Sequence, residues 1–532
     1  MSKKSLRSSS NRKFSFCHTP SLFMIHKLTQ LLTGVSNYSF KGTDREIVGI
    51  ADDSRLVKAG YLFVAVKGLR SDGHDYIDQA IDKGAIAVLG LDDPKPEWLN
   101  RVTYVKVDDP RDALGRIASE YYGNPSRKMK LIGVTGTDGK TTTSNILAHI
   151  LTTAGHKTGL VSTISAKIDG KEYDTGFHVS NPTALALHSF LAKMVEKKCE
   201  YAVLEVTSHG LTQGRVAGIE FDIGVLTNIT NEHLDYHKTY DAYVEAKSKL
   251  FEHSVVAILN KDDSSFEKMR PLIDDPLKIK TYSRESQSDI YAEDMDFGEK
   301  MTFLYSYDGK KTRVTSNLIG GFNVSNSLAA ILTSKLLGIT DKDIQKAFTT
   351  IVSPKGRLQI VPNSKDITIL IDYAHTPNGV SSVINEFKNT KGKVISIVSA
   401  EGERDPGKRF DIPRVSVEHC DITILNPIDV RSEKSENILK EMEKGAKAGG
   451  GVKVTKESAP TSTKGHTYVG ILDRGEAIYF ALNSLAKKGD TVLILGKGHE
   501  TGMDFGDYEA PWSDTEATKL ALKGKVFKIK KA

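Results

Sequence analysis

Along the chain, short apolar runs rich in β-branched residues alternate with stretches in which apolar positions recur every three or four residues. This is the pattern of strands and amphipathic helices in α/β units. Within residues 27–127, IVGIADDSR and GYLFVAVKG predict strands, and HDYIDQAIDKGAIAVLG predicts a helix running into a strand. A second set (KLIGVTG, YAVLEVTS, FDIGVLTNI, SVVAILN) and a third beginning near Ser353 (DITILIDYAH, KVISIVSA, CDITILNP, TVLILGKG) include several strands that are almost continuously apolar. Such runs suit parallel sheets covered by helices on both faces. GNPSRKMK, residues 123–130, is polar and turn-rich and reads as a linker. The predicted fold is α/β with three domains. A small α/β domain occupies 27–127, a central parallel sheet 128–350, and a Rossmann-like α/β domain 351–532, behind a disordered basic tail at 1–26.

Composition narrows the classes without changing the fold. Hydrophobic residues are 39%, charged residues 26% and aromatics 8% of 532 residues, an ordinary globular profile. No apolar run approaches the length of a membrane-spanning helix, so no membrane insertion is expected. Of the net charge of +6, five positive charges come from Lys3, Lys4, Arg7, Arg12 and Lys13. Without them the remainder carries about +1, which gives no basic surface for nucleic acid. Residues 1–24 lack the apolar core of a secretory signal and read as a disordered tail or as residues before a start at Met24. Cys17, Cys199 and Cys420 are far apart, which excludes a disulfide framework or thiolate zinc cage and points to a reducing cytosol.

The clearest chemistry follows KLIGV. Gly136-Thr137-Asp138-Gly139-Lys140-Thr141-Thr142 lies between an apolar strand and a helical pattern, the context of a phosphate-binding loop. Its backbone amides would cradle phosphates, Lys140 would reach the β- and γ-phosphates, and the Thr141 hydroxyl would hold Mg²⁺. Val134 stands where the usual spacing puts the first glycine. Glu205 ends YAVLEVTS, and His233, Asp235 and His237 follow FDIGVLTNITNE. Groups at the C-terminal ends of parallel strands are placed for ligands, so Glu205 and His233 join Thr141 as candidate Mg²⁺ ligands.

Taken in order, GTDGKTTT, LEVTSHGLTQGRVAGIEFDIGVLTNITNEHLDYHKTYDAYVEAKSKLF, GGFNVSNSLAA and DYAHTP resemble the Mur ligase family of ATP-dependent amide-forming enzymes. DDSRLVKAGYLFVAVKGLRSDGHDYIDQAIDKGA, GERDPGKR and GKGHE are similar to the branch that adds the third amino acid to UDP-N-acetylmuramoyl-L-alanyl-D-glutamate in peptidoglycan precursor synthesis. The resemblance implies an acyl phosphate made from ATP with Mg²⁺. It also implies Lys140, Glu205, His233 and Lys247 as the catalytic group, with Lys247 carried as N6-carboxylysine and so a metal ligand, for a second Mg²⁺. Asn323, Arg357, Asp372 and His375 are implied as nucleotide contacts. Ser54, Leu69, Arg70 and Ser71 would hold the UDP part, and Ser180, Asn181, Thr207, Gln213 and Arg215 the rest of that substrate. Arg409, Arg431, Gly496 and Glu500 would receive the free amino acid. The implied partners are these small molecules alone, bound by a monomer in the cytoplasm.

The resemblance is imperfect where the amino acid is chosen. An Asp-Asn-Pro-Arg motif marks diaminopimelate-adding relatives, and here Ile428-Asp429-Val430-Arg431 stands in its place. The kept Arg431 favours meso-diaminopimelate, because a guanidinium pairs bidentately with a carboxylate. The changed neighbours leave L-lysine or L-ornithine open. Glu401 and Glu403 also replace a run that is usually richer in glycine or carries aspartate. Alternatives are a D-alanyl-D-alanine-adding or folylpolyglutamate synthase-like ligase and, in another class, a P-loop nucleic-acid ATPase, which needs basic or aromatic tracts that the body lacks.

Overall fold

The computed structural model describes residues 25–68, 71–176, 181–230, 232, 234–298, 300–462 and 465–529. The basic tail predicted at 1–26 lies almost wholly outside them. Among the described residues three large sheets and two small two-stranded ones carry the chain. The first has five strands in the order Tyr38–Lys41, Thr103–Val107, Ala85–Gly90, Tyr61–Val64, Gly49–Ala51, all parallel except the first pair.

The central sheet has eleven strands. Its middle is formed by β1 (Lys130–Thr135), β2 (Tyr201–Glu205), β3 (Phe221–Leu226) and β4 (Ser254–Asn260), all parallel and in the order β2-β1-β3-β4. Helix α1 (Lys140–Thr153) follows β1, and α2 (Tyr240–Glu252) precedes β4. The core of one face joins Ile132, Val134, Ile146 and Ile150 to Leu328 and Ile331 of α3 (Phe322–Leu336). Beyond the parallel strands, Ile290–Phe297, Met301–Tyr307 and Lys310–Ser316 extend the sheet as an antiparallel meander. The sequence reading of a central parallel sheet holds for its middle and did not include this arm. Along Met301–Tyr307 and Lys310–Ser316 buried positions largely alternate with more exposed ones, as in one-sided antiparallel strands.

The third sheet has seven strands. Its centre is β5 (Thr368–Asp372), β6 (Val394–Glu401), β7 (Ile422–Ile428) and β8 (Thr491–Leu495), parallel in the order β5-β8-β6-β7, with α4 (Pro406–His419) crossing from β6 to β7. Beneath its C-terminal edge Arg474 is fully buried. It donates to both oxygens of Asp514 at 2.7 and 2.8 Å and to the Ser399 hydroxyl at 2.7 Å, tying β6 to the C-terminal helix Asp514–Leu522. Cys199 and Cys420 are buried free thiols. Among the described residues no helix is long and apolar enough to cross a membrane.

Candidate active site

β1 delivers the chain into the turn that starts at Gly136, and α1 begins at Lys140. Val134 is still a fully buried strand residue paired with Glu205, so the strand runs one position further than the common loop spacing allows. Gly136 has φ +148°, and a Cβ there would lie 1.9 Å from the Thr227 hydroxyl oxygen. Gly139 has φ +81°, and its Cβ would meet the Asn326 side-chain oxygen at 2.3 Å. Only glycine fits either place. No side chain caps α1, so its first amides face the cavity, where an anion is favoured. The turn is pinned by the segment after β3. The amides of Thr137 and Asp138 donate to the Asn228 carbonyl and side chain at 2.8 and 2.9 Å, and the Thr227 hydroxyl donates to the Asp138 carbonyl at 2.6 Å.

Two lysines stand behind this turn. The Lys140 ammonium donates to the carbonyls of Gly136 and Thr137, and Lys247 from α2 donates to the Gly136 carbonyl at 2.7 Å. Burial first, then the charge of Lys140, pushes the Lys247 pKa well below its ordinary value. The Lys247 nitrogen also sits 4.4 Å from the centre of the Tyr243 ring.

Glu205 is brought to the same place at the C-terminal end of β2. The Thr141 hydroxyl donates to its Oε2 at 2.9 Å, and Thr163 donates through its amide and hydroxyl at 2.9 and 2.7 Å. A threonine hydroxyl and a buried carboxylate are hard oxygen donors and fit Mg²⁺. Among the described residues no group of three or more His, Cys, Asp or Glu is arranged for a metal. His233 lies outside the described residues, and the Lys247 side chain is turned to the Gly136 carbonyl.

The third sheet closes the cavity from the other side. Arg357 donates to the Thr141 hydroxyl at 3.3 Å, with its guanidinium 4.6 Å from the Tyr373 ring centre. Both Asp372 oxygens accept backbone amides, from Leu358 and Ala374 at 2.7 Å each, so Asp372 fixes the loop that carries Arg357. Lys408 of α4 donates to Glu232 at 3.1 Å, and His375 lies 3.6 Å from the same carboxylate. Asn323 accepts from Asn326, whose side-chain oxygen takes the Thr143 hydroxyl at 3.2 Å, linking α3 to α1.

Asn181, Thr207, Gln213 and Arg215 form one hydrogen-bonded cluster on the wall. Asn181 accepts the amide and hydroxyl of Thr207 at 2.8 and 2.7 Å, and Arg215 donates to the Asn181 carbonyl and to Gln213 at 2.6 and 2.9 Å. Gly496 and Glu500 line the far end, and the Tyr373 hydroxyl donates to Glu500 at 3.3 Å. Arg409, expected as an amino-acid contact, also lines the cavity. Four hydrogen bonds commit its guanidinium to Glu433, Glu441 and the Glu401 carbonyl, so it braces the wall. Ser54, bonded to Gln79, and Ser71 do not line this cavity. Leu69, Arg70 and Ser180 lie outside the described residues. The remaining predicted residues converge on one cavity of about 1250 Å³.

The chain matches three family descriptions in series. These are "Mur ligase family, catalytic domain" over residues 46–122, "Mur ligase middle domain" over 134–334 and "Mur ligase, glutamate ligase domain" over 356–498. The chain belongs to the Mur ligase family. A Phocaeicola vulgatus protein named UDP-N-acetylmuramoyl-L-alanyl-D-glutamate–2,6-diaminopimelate ligase is 36% identical over 500 residues, covering 93% of this chain and 99% of its own. A Bacillus licheniformis protein of the same name is 36% identical over 511 residues, with 93% and 99% covered. A solved structure under that name superposes with TM-score 0.61 at 27% identity, covering 90% of this chain and 95% of the other. The MurF ligase of Thermotoga maritima in complex with ADP shares the fold, at TM-score 0.58, 22% identity and coverage of 90% and 97%.

As a Mur ligase this chain is an ATP-dependent amide-forming enzyme. Sequence reasoning did not single out Thr163, Asn228, Glu232, Asn326 or Lys408. Asn228 had a signal, the polar TNITN directly after an apolar strand, and Lys408 lay inside GERDPGKR. Thr163 had none.

Proposed function

We propose that this Mur ligase joins meso-diaminopimelate to the D-glutamate end of UDP-N-acetylmuramoyl-L-alanyl-D-glutamate, cleaving ATP to ADP and phosphate, in cytoplasmic peptidoglycan precursor synthesis. The names of the relatives at 36% identity support this choice of substrates. The observation that carries the reaction is the single cavity in which Lys140, Thr141 and Glu205 face Arg357, His375 and Lys408. A carboxylate must approach a triphosphate, two anions that repel, and closely placed cations make that approach feasible.

The substrate carboxylate oxygen attacks the γ-phosphorus and ADP departs, leaving an acyl phosphate. The amine then attacks the acyl carbon, phosphate leaves, and the nitrogen gives up its proton. Lys140 and the amides of α1 hold the phosphates, and Arg357 brings a positive charge from the third domain. Thr141 and Glu205 would hold Mg²⁺, which when bound offsets charge on the phosphate oxygens. Burial and the nearby Lys140 lower the Lys247 pKa and so favour the neutral amine, the form that takes up carbon dioxide, which supports its role as a carbamate.

Purified protein with ATP, the UDP-linked dipeptide and single amino acids tests the reading by product mass. Addition of diaminopimelate is expected. Ligation of no amino acid overturns the enzyme assignment, and ligation of L-lysine alone overturns the choice of amino acid.

A further inference from the structure

Helix α3 starts on the cavity wall, with Asn323 in its first turn, and its N-cap residue Gly321 has no side chain to cap it. The Gly321 peptide is gripped instead from two other elements. Its carbonyl accepts from the Arg284 guanidinium at 2.6 Å, and its amide donates to the Glu386 carboxylate at 2.9 Å. Arg284 directly follows the central-sheet strand Ile279–Ser283. Glu386 belongs to the third domain, where it ends the helix Pro377–Asn385.

Apolar packing seats the same turn on the third domain. Ile319 and Phe322, on either side of the Gly320-Gly321 pair, pack against a core that includes Val380, Val383 and Ile384 of that helix. In the other direction the turn reaches the phosphate loop. Asn323 accepts from Asn326 at 2.8 Å, and the Asn326 side-chain oxygen takes the Thr143 hydroxyl at 3.2 Å and stands against Gly139. One turn of helix therefore separates a third-domain carboxylate from the loop that cradles phosphates. An anion at the start of a helix is favoured by the helix dipole, so Glu386 supplies from another domain what a capping side chain supplies within a single segment.

We propose that Glu386 is a positioning residue for ATP: by holding the Gly321 amide it keeps the first turn of α3, with Asn323 and Asn326, against the phosphate loop while the third domain is docked. Glu386 does not itself line the cavity and acts through that turn. The proposal rests on the ATP dependence of the family and not on which amino acid is added. Without the bond, the docked arrangement is populated less, and apparent nucleotide affinity falls with that fraction.

The test compares the full chain with its Glu386→Ala and Glu386→Gln variants. Glutamine keeps an oxygen that accepts the amide, and alanine does not. Glu386→Ala is expected to raise the Kd for ADP with Mg²⁺, read by calorimetry, and the KM for ATP at least about fivefold. The KM values for the UDP-linked dipeptide and the amino acid are expected to stay within about twofold, and Glu386→Gln to stay within about twofold throughout. Glu386 is exposed, and Glu386→Ser replaces the alanine variant should that one fail to fold. Unchanged nucleotide values in the folded alanine or serine variant, an equal loss in Glu386→Gln, or a matching rise in all three KM values overturns the proposal. Failure of the parent reading shows separately: an unaltered chain that binds ADP but ligates no amino acid is no ligase, and its ADP titrations still decide the role of Glu386.

Discussion

Lys140 and Lys247 donate to the same atom, the carbonyl oxygen of Gly136, at 3.0 and 2.7 Å. Two ammonium groups that close repel, and Lys247, enclosed by α2 and the phosphate turn, is the one driven toward its neutral form. Lys247→Ala is expected to lower turnover at least about a hundredfold. Acetate or formate, which supplies a small anion, should restore part of it. Initial rates with and without these salts are the measurement, and near-normal turnover in the variant removes Lys247 from the reaction.

Glu205 holds both Thr141 and Thr163, so its charge and its position matter together. Glu205→Gln keeps the shape and removes the charge. Ligation should fall about a hundredfold or more and require more Mg²⁺ for half-maximal rate. A magnesium titration of initial rates reads both effects, and an unchanged midpoint would separate Glu205 from the metal.

The Arg474–Asp514 pair is wholly out of solvent. Removing one partner leaves a buried charge without its counter-ion. Arg474→Met is expected to lower unfolding free energy by about 3–5 kcal/mol, whereas Arg474→Met with Asp514→Leu should recover most of the loss. Urea unfolding of the three proteins decides this.

His188 is buried and donates only through Nε2, to the Ala217 carbonyl at 3.0 Å, with no hydrogen-bond partner recorded for its Nδ1. Burial lowers its pKa to about 4, against an ordinary 6.5. Above 6.5 both folded and unfolded chains keep it neutral. As pH falls from 6.5 to 4 the unfolded chain takes the proton first, so stability is lost, by up to about 3 kcal/mol. His188→Gln, which keeps an N–H donor without the titration, should flatten this slope. Urea midpoints at pH 7 and 5 are the comparison, and equal slopes would clear His188 of the effect.

Much of the fold and site was legible because it rests on local patterns. KLIGV before GTDGK, and YAVLE ending at an acid, carry their structure in a few consecutive residues. The antiparallel arm was less legible, since MTFLYSY and KKTRVTS mix polar and apolar positions like many loops. The true partners of Arg409 and Arg431 were hidden for another reason. Glu433, Glu441, Asp504 and Glu401 reach them from different elements, and no local spacing encodes those approaches.

Between the central-sheet side and the third-sheet side of the cavity runs a seam bridged by Arg357 to Thr141 and by Lys408 to Glu232. A rigid compound lodged in that seam, holding its banks about 1 Å farther apart, would slow the enzyme about a hundredfold. It would do so without resembling any substrate, which opens a route to inhibition independent of mimicking nucleotide or peptide.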